Sequence, residues 1–504
     1  MSALPDWLDP LFEAPEMRAV DAWAIEQQGI ASLELMERAG LSLARAVARA
    51  AHPGAIRIVT GKGNNGGDGL VAARLLREDG REVDVLSTAP LDELRGDPLA
   101  NLGRLPGLPP EPFDRTRLER SGAVVDALLG TGFSGEPREP VAGAIHAINE
   151  QDAPVLACDV PSGIDASTGE AAGVAVRASA TVTFHGSKVG LHVAPGVFCA
   201  GEVEVADIGI PRGAPAPAAA GLIGESVLDL YPRRSRQGSK FTSGTVVVAG
   251  GARGLTGAPA MAALAAQRAG AGYVQAAVPR PAESVLGLRL LEGMTRGLPD
   301  EEGSHTPQGL AGLAELAERA RAVVLGPGLG RAESAVAFAR EGARCLAVPL
   351  LIDADGLNAH AGALETLRRR SAPTVLTPHA GELGRLLEVD SATVTAHRLG
   401  CVREAAERSG AVVVLKGHDT LVAAPGRPVA ISPGGTPALA TAGTGDVLSG
   451  VIGALLAKGM DAFEAAALGT LAHVRAGRAA ADRHGADHVI AGDVIDALPA
   501  GFAR

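Results

Sequence analysis

Residues 56–69 read IRIVTGKGNNGGDG. A short apolar stretch, Ile56–Thr60, runs into a cluster of glycines, and a helical pattern opens near Leu70. A buried strand that feeds a glycine-rich turn and then a helix is the building unit of a parallel α/β sheet. The alternation recurs along the chain. In the first half, 83–87, 123–129, 155–159 and 181–184 read as strands. In the second half, 245–249, 274–278, 322–325, 350–353, 374–377 and 412–416 do the same. The amphipathic region 17–51 reads as helical, with breaks expected near Gly29 and Gly40. The segment 210–221, IPRGAPAPAAAG, has no periodicity and reads as a linker. It predicts two domains, residues 1–215 and 225–504.

Composition narrows the class. The chain has 504 residues, 46% of them hydrophobic, which is ample for packed cores. Its 66 glycines follow no Gly-x-y period. Net charge is −11 without a Lys/Arg-rich run, so no nucleic-acid partner is expected. The four cysteines, 158, 199, 345 and 401, stand far apart and read as reduced, mostly buried thiols of a cytoplasmic protein. No signal peptide and no membrane span are evident. Only five of the 46 basic residues are lysines, at 62, 188, 240, 416 and 458. Each lysine is therefore a position of interest.

Ligands of open α/β sheets bind beyond the carboxyl ends of strands, so the loops after strands matter most. After 56–60 comes GKGNNGGDG. It formally fits G-x-G-x-x-G, but the next strand ends in Ser87 and Thr88, not in the acid a dinucleotide fingerprint requires. Its glycines let backbone N–H groups approach a phosphate, and the oxygens of Asn64 and Asn65 suit a hard cation. The alternative is a tight turn alone. After 123–129 comes GTGFSGEP, with Asp126 inside the strand itself. A carboxylate there is costly unless paired or bound to a cation. DVPSGIDASTG (159–169) places Asp159 at a strand end and Ser162 just beyond it.

GNNGGDG, Asp126, GTGFSGE and DVPSGIDA, in this order and spacing, resemble the NAD(P)H-hydrate epimerase family over residues 10–210. The resemblance implies that Asn64, Asn65, Gly66, Gly67 and Asp68 hold the hydrated dinucleotide. It implies the same of Gly130, Thr131, Gly132, Phe133, Ser134, Gly135 and Glu136. A potassium ion (K+) would sit on Asn65, Asp126 and Ser162. Asp159 would touch the substrate and act as acid/base. Lys188, in TFHGSKVGL, occupies the family's TF…K-x-G-L context and is a second catalytic candidate; otherwise it is a surface lysine.

In the second half, GGARGLTGAPAMAALAAQRAGAGY follows a strand, and a helix should begin near Ala258. GPGLG (326–330) follows another strand. Asp353 and Asp355 stand at a strand end, as do His379 and Glu382 in TPHAGEL. Lys416 ends a strand before GHDT. In TAGTGDVLSGVIGALLA (441–457) glycines lead into a helix starting near Asp446. Backbone N–H groups at such a start form an anion hole. Asp446 is placed to take a proton from a hydroxyl attacking a phosphoryl group; otherwise it is a helix cap.

This half resembles the ribokinase-like superfamily and, within it, the NAD(P)H-hydrate dehydratase family, across about 240–500. The resemblance implies nucleotide contacts from Lys416, Gly417, His418, Asp419, Thr420 and Gly445. It implies substrate contacts from Ala258, Gly328, His379 and Asp446. One departure is that the family commonly has Gly-Gly where this chain has Ala442-Gly443. The fold implied is α/β in two domains, a Rossmann-like three-layer sandwich followed by a ribokinase-like domain. The function implied is repair of hydrated NADH and NADPH (NAD(P)HX) by a homo-oligomeric enzyme. Mg2+ would accompany the nucleotide. Bacterial members use ADP, and the Arg/Ala-rich composition points to ADP here. Two alternatives remain at this stage: a small-molecule kinase for a vitamin precursor or sugar, and a non-catalytic nucleotide-binding N-terminal module.

Overall fold

A computed structural model describes residues 4–211, 213–214 and 218–504. Part of the 210–221 linker thus lies outside the described residues. The chain divides into two compact units, Pro10–Gly221 and Met1–Asp9 with Leu222–Arg504. Residues 4–9 therefore group with the C-terminal unit, not with the N-terminal one as expected. The reason is apolar burial. Trp7 and Leu8 join the C-terminal core, the Trp7 ring lies 5.7 Å from that of Phe463, and Trp7 O accepts from Gly224 N.

In the Pro10–Gly221 unit a seven-stranded sheet runs in the order 111–112, 83–87, 56–60, 123–127, 155–158, 180–184, 202–206. Every pairing in it is parallel. Successive strand residues face opposite sides. Ile56 and Ile58 join one core with Val20, Leu43 and Leu70, while Val59 and Val124 join another with Ile145 and Ile148. Two helical layers thus sandwich the sheet.

Two helix boundaries differ from expectation. The helix after the first strand is Asn64–Glu78, with Gly63 as its cap, so the NNGGD stretch forms the first turns of the helix and not a loop. Its glycines serve contact. A Cβ on Gly66 would lie 2.1 Å from Gly61 O, and one on Gly69 would lie 2.8 Å from the Ala127 Cβ. In the N-terminal region the helices Ala14–Glu26 and Ser32–Ala50 are separated at Gly29, which has φ +69°. Gly40 does not break the second helix. It lets that helix pack on Asn64–Glu78, where a Cβ would lie 2.4 Å from the Val71 Cβ.

The C-terminal unit repeats the logic. Strands run in the order 294–298, 273–279, 245–249, 322–325, 350–352, 374–376 and 412–415, all parallel, then 421–423 and 429–431, antiparallel. The Ala-rich helix is Gly257–Arg268, and its alanines admit close packing. A Cβ on Gly450, in the helix Thr444–Ala457, would lie 2.1 Å from Ala262 O. In both units the strand order reverses beside the first strand, between 56–60 and 123–127 and between 245–249 and 322–325. These are the topological switch points where crevices form.

Candidate active sites

In the N-terminal unit a cavity of about 920 Å³ opens at the switch point. Asn64, Asn65, Asp68, Gly130, Thr131, Gly132, Phe133, Asp159 and Lys188 all line it. Gly66 and Gly67 instead face packed neighbours, and Ser134, Gly135 and Glu136 lie off the cavity wall. The Glu136 side chain lies against Gly173.

Asp159 follows the 155–158 strand with φ +66°, an unusual conformation for a residue with a Cβ. Its Oδ2 accepts from Thr131 N at 3.2 Å and Thr131 Oγ1 at 2.5 Å. Its Oδ1 accepts from Lys188 Nζ at 2.6 Å and Thr183 Oγ1 at 3.2 Å. Burial opposes the carboxylate's charge, but Lys188 and the Thr131 hydrogen bonds outweigh it and hold the pKa below the usual range. Lys188, the rare lysine after the last inner strand, is 1% exposed, so the surface alternative is excluded. It also donates to Thr183 Oγ1 and Phe184 O.

Asp126 is fully buried. It accepts from Ser162 N and Oγ and from Leu128 N, and burial pushes its pKa up to about 6 against those bonds. Asn65 Nδ2 donates to Leu129 O, while Asn65 Oδ1 is buried with no hydrogen-bond partner. Asn65 Nδ2 and Ser162 Oγ both reach Leu129 O, so an orphaned amide oxygen, a serine and its bonded carboxylate meet around one backbone carbonyl, an all-oxygen set of the kind a hard cation such as K+ takes. Among the described residues no group of three or more His, Cys, Asp or Glu side chains is arranged to hold a metal ion.

Among the cavity residues that the sequence motifs did not mark is a half-buried acid. Asp21 lines the same wall, and its pKa is pushed up to about 6 by burial and the Asp159 charge, against the pull of Lys188. The only signal was an acid adjoining the buried face marked by Met17, Val20 and Ala24.

In the C-terminal unit Lys416 is the hub. Its Nζ donates to Asp353 Oδ1 at 2.9 Å, lies 3.6 Å from Glu382 Oε2, and stands 3.4 Å from where a Gly445 Cβ would be. Burial disfavours its charge, yet Asp353 and Glu382 raise its pKa. The other oxygen of Asp353 accepts from Ser449 Oγ, so this 1%-exposed carboxylate ties Lys416 to the helix that carries Asp446. Asp446 stands in the first turn of Thr444–Ala457. Burial and the charges of Asp353, Glu382 and Asp355 raise its pKa to about 7, against the pull of Lys416. Gly443 takes the positive φ, +92°, and Ala442 does not, so the alanine departure leaves this turn intact.

The nearby loops take mixed roles. Gly328 has φ +63°, and its Cβ would sit 3.3 Å from the Ala258 Cβ, so these two predicted positions meet. His379 caps the helix Ala380–Leu387. Its Nδ1 accepts from Gly381 N and Glu382 N, and Nε2 lies 3.5 Å from Glu382 Oε1. In the Gly417–Thr420 turn, Thr420 Oγ1 donates to Gly417 O, and His418 lies beside Gly434 and Gly435. The Asp419 side chain points into the protein. It is 2% exposed and receives Arg398 Nε at 2.9 Å, which anchors the loop from inside.

Comparison with known proteins follows this division. Residues 246–500 match the profile described as NAD(P)H-hydrate dehydratase, and residues 32–190 match that of the YjeF-related protein N-terminus. A relative from Salinibacter ruber, named bifunctional NAD(P)H-hydrate repair enzyme Nnr, is 41% identical over 97% of this chain and 95% of its own. The chain belongs to the bifunctional NAD(P)H-hydrate repair enzyme family. A second member of that family, from Moorella thermoacetica, is 40% identical over 97% of this chain and 96% of its own. Among solved structures, the ADP/ATP-dependent NAD(P)H-hydrate dehydratase of Bacillus subtilis, co-crystallised with ATP/Mg2+, is 30% identical. It covers 55% of this chain and 94% of its own, with a TM-score of 0.49. As in the bifunctional repair enzymes, both halves occupy one chain.

Proposed function

We propose that the chain restores hydrated NADH and NADPH in two steps. The Pro10–Gly221 unit equilibrates the R and S hydrates. The C-terminal unit dehydrates the S form with ADP, releasing AMP and phosphate. The observation that carries this reading is the pairing of two differently tuned carboxylates in one family member. Asp159 is held ionised by Lys188 in a dinucleotide-sized cavity, and Asp446 is poised near 7 beside Lys416 at a helix start.

In the dehydratase step Asp446 takes the proton of the C6 hydroxyl as its oxygen attacks the terminal phosphoryl group of the nucleotide. A base with pKa near the working pH combines availability with driving force. Lys416 and the backbone N–H groups at Gly443–Gly445 face the charge that develops on the phosphoryl oxygens. Phosphate then leaves with the push of the ring-nitrogen lone pair, and C5 gives up a proton to regenerate the dihydronicotinamide. Mg2+, when bound with the nucleotide, neutralises phosphate oxygens; such a cation takes few protein ligands. In the epimerase unit K+ on Asn65, Asp126 and Ser162 would offset negative charge beneath the cavity.

The full-length relatives carry both halves under one name, which does not favour the kinase alternative. Among the described residues no helix is long and apolar enough to cross a membrane, and the Cys158 and Cys401 side chains are buried. We place the enzyme in the cytoplasm, as a homo-oligomer. The decisive experiment incubates purified protein with mixed R and S hydrates and either ADP or ATP, following absorbance of reduced nicotinamide. Complete conversion supports both steps. Conversion that stops at the S fraction removes the epimerase assignment, and a stable phosphorylated product with no absorbance gain removes the dehydratase assignment.

A further inference from the structure

We propose that Asp68 is the general acid of the epimerase unit, working against Asp159 as the base. The proposal rests on the epimerase activity inferred above and assigns a second catalytic group to it. Asp68 stands in the second turn of Asn64–Glu78, is 8% exposed, and faces the same cavity as Asp159, Lys188 and Asp21. Among the described residues no hydrogen bond engages its carboxyl group; burial and neighbouring charges act on it.

The charge balance of this wall dictates its state. Three carboxyl groups, Asp21, Asp68 and Asp159, share one buried ammonium, Lys188. That ammonium is bonded to Asp159 at 2.6 Å. Of the other cations on the wall, Lys62 pairs with Glu93 at the exposed rim, and Arg18 stands on the Ala14–Glu26 helix. An ionised Asp68 would be a second buried anion without a hydrogen-bonded partner, which is strongly unfavourable. Burial, the Asp159 charge and the Asp21 charge accordingly push its pKa well above the usual carboxylate range, while Lys188 keeps Asp159 ionised. Two carboxyl groups pushed apart in one cavity are an acid and a base.

The chemistry needs both. Asp68 gives its proton to the C6 hydroxyl. The C6–O bond breaks and its electron pair leaves on water, while the ring-nitrogen lone pair forms the N1–C6 π bond. Water then adds to the other face of C6. The π pair returns to nitrogen, and the Asp159 carboxylate accepts the proton lost by the new hydroxyl. No oxidant or reductant enters. The turnover leaves Asp68 ionised and Asp159 protonated, the form that runs the reverse epimerisation or exchanges protons with solvent.

The test uses the full chain, the S hydrate without nucleotide, and chromatographic detection of the R form above the uncatalysed rate. Asp68→Asn should lower kcat about 10²- to 10⁴-fold with KM within a few-fold of wild type. Asp68→Glu should recover part of the rate. Wild type should lose rate on the alkaline side as the acid's proton is lost, and Asp68→Asn should lack that limb. ADP-dependent turnover of the S hydrate in the same preparations should stay at the wild-type level. Exchange by Asp68→Asn at the wild-type rate, or a loss expressed wholly as a rise in KM, overturns the proposal. If Asp68→Asn does not fold, an Asp68→Glu pH profile identical to wild type overturns it. A wild-type protein that does not exchange epimers overturns the underlying activity instead.

Discussion

The Nζ of Lys188 lies 2.6 Å from Oδ1 of Asp159, and hardly any of the lysine is exposed to solvent. This pair sets the base of the epimerase site. Lys188→Met should reduce epimer exchange about 10²-fold or more. With the ammonium gone, only the Thr131 and Thr183 hydrogen bonds oppose burial at Asp159, so its pKa rises. The acid limb of the pH–rate profile should move to higher pH, and an unmoved limb would separate Lys188 from the base.

Asp446 allows a prediction on rate and stability together. The dehydratase rate should climb with pH to a plateau above about 7, because only the ionised carboxylate accepts a proton. Asp446→Ala should retain nucleotide binding, read by calorimetry, and lose turnover. The sign for stability is opposite. A carboxyl group whose folded pKa is raised favours the folded state when neutral, and this contribution is lost as pH rises from the ordinary carboxylate range through about 7. Asp446→Asn should therefore gain about 2 kcal/mol over wild type at pH 8 in denaturant melts and little at pH 4.

Asp353 is bonded on both oxygens, to Lys416 and to Ser449. Asp353→Ala removes both contacts and leaves a half-buried ammonium with Glu382 at 3.6 Å as its nearest remaining ion-pair partner. Loss of about 3 kcal/mol is expected in chemical unfolding of the C-terminal unit. Epimer exchange should persist, which distinguishes local damage from collapse of the chain.

Gly61 and Gly250 are counterparts. A Cβ on the first would lie 2.1 Å from Leu128 O and on the second 2.2 Å from Pro327 O, each at a switch point. The obstructing atoms are backbone, which gives way poorly. Gly61→Ala and Gly250→Ala should each cost about 1–3 kcal/mol. The first should impair epimer exchange and the second dehydration, assayed separately.

The Asn65 Oδ1 oxygen, buried without a partner, makes potassium binding testable without catalysis. KCl should raise the thermal midpoint of the N-terminal unit above that in choline chloride, as ligand binding to the folded state requires. Asn65→Leu should abolish the difference. An equal response of wild type and variant would remove Asn65 from the site.

The inner strands of both sheets were legible in the sequence because each is a short apolar run between polar loops, as at 56–60 and 322–325. The lysine scarcity singled out Lys188 and Lys416, and the loop motifs singled out Asp159 and Asp446. Tertiary structure alone decided what these groups are to one another. Gly66 and Gly67 lie inside the helix Asn64–Glu78, where contact with Gly61 and Met36 leaves no room for a side chain. Asp419 turned inward because Arg398, 21 residues earlier, is buried beside it. Asp21 entered the cavity through packing of a helix whose local pattern gives no sign of a site. A strand and its following loop are local matters of hydrophobic spacing and backbone freedom. Which carboxyl group keeps its proton depends on burial and on charges brought from distant segments, and those exist only once the chain has folded.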